Sequence, residues 1–258
     1  MSDVSNRLSP ANQQGVAQIV PSDRAALSPV PPALLRWLTV GVAGAVLFTL
    51  TYLIEGATRP GYAAWQQAIS ALSLGPGGWI QQVNFVVFGG CTLCLAVAWW
   101  KILKGGVGAK VYPAFRGIEG FGLIAVGFFS QDPAAGYPPG AVLTAPTLHG
   151  EIHILGAFVI VFAIALGLSV MAWRFLSELH WRGWAVYSVI SGILTLFFMA
   201  LFGMAQHGGG NAGLFERLAT NLETIWGVIL LARLWAGAKF MRSTPSGLST
   251  IVRGANPE

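Results

Sequence analysis

Apolar residues fall in six long runs separated by short polar stretches, at about 34–54, 79–100, 111–130, 148–173, 184–205 and 216–239. Each run approaches the roughly 20 residues that a helix needs to cross a hydrocarbon core of about 30 Å. Alternation with period two is absent, which argues against a barrel. An open strand in lipid would leave backbone N–H and C=O groups unpaired, so each run is predicted to be a helix. The expected fold is all-α: a polytopic membrane protein with a six-transmembrane-helix bundle over 34–239. A polar tail over 1–33 reads as disordered, and 240–258 reads as a second tail. No charged region leading into an apolar stretch and a cleavage site precedes the first run, which is expected to act as an uncleaved anchor.

The segments between the runs carry their own signals. Within 55–78, Trp65, Ala68, Ile69 and Leu72 recur at helical spacing against Gln66, Gln67, Ser70 and Ser73. Pro60 suits a first turn, and Gly75-Pro76-Gly77-Gly78 would end the element. The pattern predicts an amphipathic helix lying at the outer interface, as a lid or a gate. The third run holds Gly117, Gly120, Gly122 and Gly127, small residues that let helices approach closely in lipid. It also holds Arg116 and Glu119, whose i,i+3 spacing predicts a pair.

Composition supports the membrane assignment. Of 258 residues, 54% are hydrophobic and 10% charged, against about 25% charged in soluble domains. Charge then sets the expected topology. Thirteen of the fifteen Lys and Arg fall at one side: Arg7, Arg24, Arg36, Lys101, Lys104, Lys110, Arg116, Arg174, Arg182, Arg233, Lys239, Arg242 and Arg253. Only Arg59 and Arg217 fall at the other. The positive-inside rule places both termini in the cytoplasm of a cell whose plasma membrane holds the protein. The net charge of +5 then reflects insertion and anionic headgroups, not nucleic acid. Cys91 and Cys94 lie in mid-run among Gly, Val, Thr and Leu, and read as packing rather than redox groups.

Candidate chemistry gathers at the outer ends of the runs. Glu55, Arg59, Asp132, His149, His153, Gln206, His207, Glu216, Arg217, Asn221 and Glu223 come from five parts of the chain. Ionisable residues at membrane depth face the bundle interior and mark sites. His149 and His153 share a helix face at i,i+4, so both imidazoles can reach one ion. Asp132 and His207 could complete a site for zinc or another divalent metal, which would supply hydroxide for hydrolysis. Glu151 is about 200° round the helix from His149, so it does not stand where the general base of an HExxH protease would.

Four short pieces carry a family resemblance: Ile69-Ser70-Ala71-Leu72 leading to Gly75; Phe129 through Asp132-Pro133; Thr147-Leu148-His149-Gly150 with His153; and Gly213-Leu214-Phe215-Glu216-Arg217-Leu218. With them the span 34–239 resembles a bacterial family of six-helix membrane proteins, the domain of unknown function nine-nine-eight. The family pattern has a tighter Ser-x-Leu-Gly than the Ser70 to Gly75 stretch here. The resemblance implies six helices with any site at their outer ends, and no established activity. Three functions remain open. One is a metal-dependent membrane enzyme acting on a lipid or lipid-linked substrate through His149, His153, Asp132 and His207. Another is a small-solute or proton-coupled transporter lined by Glu119, Asn221 and Glu223. The third is a non-catalytic assembly or sensing protein.

Overall fold

The computed structural model describes residues 30–142, 145–177, 179–208 and 210–243; the side chains of His180, His207 and residues 239–243 lie outside the description. Among the described residues there are six α-helices: α1 Pro32–Thr58, α2 Gly78–Ile102, α3 Val111–Phe128, α4 Leu148–Leu176, α5 Arg182–Gly208 and α6 Ala212–Ser243. Both outer bounds pass the expected ones slightly. Pro32 can sit in the first turn because the N–H it lacks has no helical partner there. Each helix packs on its neighbour in sequence, and α6 closes on α1, so the six form a ring.

The outside of the ring is apolar. Leu47, Ile54, Phe121, Phe158, Ile193 and Phe197 are all exposed, from α1, α3, α4 and α5. Water would penalise such a surface and lipid accepts it. Four helices, α1, α2, α4 and α5, are long and apolar enough to cross a membrane. The other two, α3 and α6, fall outside that group. They carry charged groups turned into the ring: Arg116 and Glu119 on α3, and Arg217 and the partly buried Glu223 on α6.

Close backbone approach seats α3 between its neighbours. A Cβ on Gly120 would crowd Leu93 and the Gly89 carbonyl of α2, and one on Gly122 would crowd Ile160 of α4. Cys91 fills the notch that Gly44 leaves on α1, as the packing reading of the thiols expects.

The two ends of the ring differ. One end carries both helical termini and the connections at 103–110 and 177–181. The other carries the longer connections, 59–77 and 129–147, and is called here the loop end. Over 59–77 the structure departs from the predicted interfacial helix. Residues Ile69–Ser73 form a short 3-10 helix in which every residue is buried, Ser70 and Ser73 included. Gln67 is buried as well, while Trp65 is 62% exposed. The reason is competition for backbone groups. The Glu216 carboxylate accepts from Ile69 N–H. The Gln67 carbonyl accepts from Tyr62 Oη at 3.1 Å and from Arg217 Nη1 at 3.3 Å. Groups that would propagate an α-helix are paired to the bundle instead.

Candidate functional site

At the loop end the polar residues fall into three separate constructions. The first is a clasp. Glu55 in the last turn of α1 and Arg59, the residue that caps it, form an ion pair. The same guanidinium donates to the carbonyls of Pro76 at 2.7 Å and Gly77 at 3.1 Å, closing the 59–77 loop on itself.

The second construction is a plug held by α6. Arg217 is buried, donates to Tyr62 Oη at 2.8 Å and to the Gly213 carbonyl at 2.8 Å, and lies over the Tyr52 and Tyr62 rings. Burial pushes the Tyr62 phenol up to about 12, although Arg217 beside it pulls the other way. Asn221 donates to Tyr52 Oη at 2.7 Å and accepts from Thr49 at 3.3 Å. Ser70 of the 3-10 helix donates to the Gln131 side chain at 2.6 Å, and Gln67 donates to the Ala135 carbonyl at 3.2 Å. Both long connections are thereby locked together over the ring, with Tyr137 packed edge-on to Tyr62.

The third construction is the start of α4. Thr147 is the N-cap, its hydroxyl accepting from Gly150 N–H at 3.1 Å. Asp132 accepts from the Thr147 hydroxyl at 2.6 Å and its N–H at 2.9 Å. Those two hydrogen bonds, with His149 nearby, hold the Asp132 carboxyl below the usual carboxylate range. Gly150 lets this happen, since any Cβ there would strike the Asp132 carboxylate. His149 is exposed and sits edge-on to Phe129 with ring centroids 5.1 Å apart. His153 turns inward, its Nδ1 2.7 Å from the Phe129 carbonyl. A carbonyl only accepts, so Nδ1 carries the proton. The expected metal ligands are thus divided: Asp132 and His149 lie together, His153 is engaged below them, and the His207 side chain lies outside the described residues. Among the described residues, no three His, Cys, Asp or Glu side chains are grouped to hold a metal ion.

Deeper in the ring is a fourth group. Arg116 of α3 pairs with Glu119 at 2.8 Å, as the spacing predicted, and also with Glu223 of α6 across the ring. Arg116 had counted among the charges at one membrane face; its side chain is 7% exposed and lies inside. Neither Glu119 oxygen receives a directed hydrogen bond, so the 2.8 Å approach is a purely ionic contact. By a rise of 1.5 Å per residue, Glu119 is about 12 Å from the start of α3, whose length is about 27 Å. Glu223 is about 16 Å from the start of α6 at the loop end. The trio therefore sits near the middle of the ring, measured along the helices. Gln81 and Asn84 of α2 stand between it and the loop end; Asn84 donates to the Phe48 carbonyl at 3.1 Å and to Gln81 at 3.1 Å. The candidate residues read from the sequence include neither Gln81 nor Asn84. Their i,i+3 spacing was the available signal for a pair.

Neither a curated protein nor a solved structure matches this chain. The family model described as a protein of unknown function (DUF998) matches residues 42–233, a stretch that takes in the loop-end constructions and the buried trio, and the chain belongs to that family.

Proposed function

We propose that this protein handles protons inside the membrane, as the proton-binding element of a small-solute or proton-coupled transporter. The observation that carries this reading is the trio. Two carboxylates, Glu119 and Glu223, share one guanidinium, Arg116, in the middle of the helix ring. One negative charge is left over where an unpaired charge is most costly. Binding one proton makes the group neutral, and losing it to either side restores the charge. On α6, Glu216, Thr220 and Glu223 follow each other at i,i+4 and i+7, a polar stripe from the loop end to the trio. In this reading the termini are cytoplasmic and the loop end faces outward across a plasma membrane. The two cations of the loop end, Arg59 and Arg217, are paired or buried, which supports that sidedness.

Infrared spectroscopy of the purified protein in lipid, taken across a pH titration, tests the reading. A protonated-carboxyl band should be present and should be lost or shifted in Glu119→Gln and Glu223→Gln. A wild-type spectrum with no buried carboxyl band from these two residues would sink it.

One observation favours a second reading, the metal-dependent enzyme acting on a lipid or lipid-linked substrate. Asp132 and His149 come together at the surface of the loop end, where a lipid headgroup would lie. Metal analysis of purified wild type beside His149→Ala and His153→Ala tests it; metal-free wild type removes it.

A further inference from the structure

The end of the ring opposite the loop end carries a basic pocket. From Ala96 to Ile118 the chain has Lys101, Lys104, Lys110 and Arg116 and no Asp or Glu. Arg116 is turned into the ring, while the three lysines are exposed. Lys101 lies over the Trp37 ring, 5.6 Å from its centroid. Lys104 and Lys110 bracket the connection between α2 and α3. A concave pocket opens beside this connection, with Trp100, Leu103, Gly105, Gly106, Gly108 and Lys110 in its lining. Arg174 of α4 fixes the loop, donating to the carbonyls of Gly105 at 3.0 Å and Val107 at 2.9 Å. In a planar trans peptide the N–H points opposite to the C=O, so the Gly106 and Gly108 N–H groups are turned away from Arg174. Among the described residues neither meets a backbone acceptor.

We infer that this pocket binds the headgroup phosphate of an anionic phospholipid from the surrounding bilayer. Charge selects an anion. Two exposed lysines flank the pocket, and no carboxylate in their stretch of chain answers them. Lys110 is moreover the residue before the first turn of α3, which holds no acidic side chain, so its charge adds to the positive end of that helix. Level selects a lipid over a soluble phosphate. Trp100 and Trp173 are exposed at the ends of α2 and α4 beside the loop, the position that tryptophan takes at a membrane surface. Val107 and Val111, exposed next to the lysines, offer apolar surface that acyl chains cover and a free phosphate does not. A zwitterionic headgroup would bring its own cation against Lys104 and Lys110, whereas an anionic one leaves its charge to both. Basic pockets at this level of helical membrane proteins take anionic headgroups. The site shares no residue with the loop-end constructions or the buried trio, so it is independent of both functional readings.

The test is photo-crosslinking of the full-length protein in phosphatidylcholine nanodiscs that hold a trace of phosphatidylglycerol with a diazirine in one acyl chain. Phosphatidylcholine with the same diazirine chain serves as the comparison. Labelled peptides are mapped by mass spectrometry. Phosphatidylglycerol should label the segment from Trp100 to Val111 several-fold more than phosphatidylcholine does. Lys104→Gln combined with Lys110→Gln should remove most of that excess, and both side chains are exposed, so the fold does not depend on them. Arg182→Gln takes a cation from the same end of the ring but outside the pocket, and should leave the excess unchanged. Equal labelling by the two lipids would overturn the proposal. So would an excess that survives the double substitution, or an equal loss in Arg182→Gln, which would make the preference a property of net charge alone. Glycerol 3-phosphate in the buffer should not compete; if it displaces the label, the occupant is a free phosphate ester and the lipid assignment fails.

Discussion

Arg116 on α3 reaches across the helix ring to Glu223 on α6 while it also pairs with Glu119 one turn along its own helix. This contact joins two helices that are not neighbours in the chain through the interior of the bundle. Removing the guanidinium strands two carboxylates away from water, which costs about 3–5 kcal/mol for a broken buried pair. Arg116→Met should therefore lower the thermal unfolding midpoint in detergent sharply. The triple change Arg116→Met, Glu119→Leu, Glu223→Leu should recover most of the loss, because no buried charge remains. Equal damage in the single and triple variants would show that the three side chains do not act as a unit.

Arg217 makes a different demand. It serves Tyr62, Gln67 and Gly213 from one planar fork. A lysine keeps the charge but cannot make those directed contacts together. Arg217→Lys should cost about 2–3 kcal/mol, close to the loss for alanine. Limited proteolysis should also open the 59–77 segment in both variants. A lysine variant as stable and protease-resistant as wild type would mean that charge alone suffices.

Asp132 supplies a pH dependence whose sign follows from its hydrogen bonds. Its carboxyl is held below the usual range in the folded protein by Thr147. Its stabilisation is thus complete above the ordinary carboxylate value of about 3.9 and disappears as pH falls through the lower folded value. Asp132→Asn should unfold at a lower temperature than wild type near neutrality, and the gap should close in acid. Thr147→Ala, which also removes the cap, should cost about 1 kcal/mol at neutral pH. A gap that widens in acid contradicts the assignment.

Ser70 is buried and donates to Gln131 at 2.6 Å, tying one long connection to the other. Ser70→Ala removes one hydrogen bond and leaves an acceptor unpaired, for a loss of about 1–2 kcal/mol. Unfolding in detergent measures this. An unchanged midpoint would assign Ser70 no part in locking the cap.

Sidedness can be read with reporters fused after the last helix. A fluorescent protein that folds only in the cytoplasm should be bright at the C-terminus, and a periplasm-dependent phosphatase should be inactive there. The opposite pattern would turn the bundle over and place the loop end inside.

The number, order and type of helices were legible from the sequence, because the lengths of apolar runs answer directly to the thickness of a bilayer. So was the Arg116–Glu119 pair, since helical periodicity alone brings i and i+3 to adjoining faces. What periodicity cannot give is which faces of different helices meet. The partnership of Arg116 with Glu223 exists only because the ring closes and sets α3 opposite α6. The segment from Trp65 to Ser73 has an amphipathic pattern, yet from Gln67 to Ser73 it is buried on both faces, since Glu216, Tyr62 and Arg217 take the backbone groups that a helix would have used. Asp132 and His153 have the chemistry of metal ligands in any list of residues. Only the fold decides that one caps α4 through Thr147 and the other faces the Phe129 carbonyl, because hydrogen-bond partners are assigned by three-dimensional neighbours rather than by spacing along the chain.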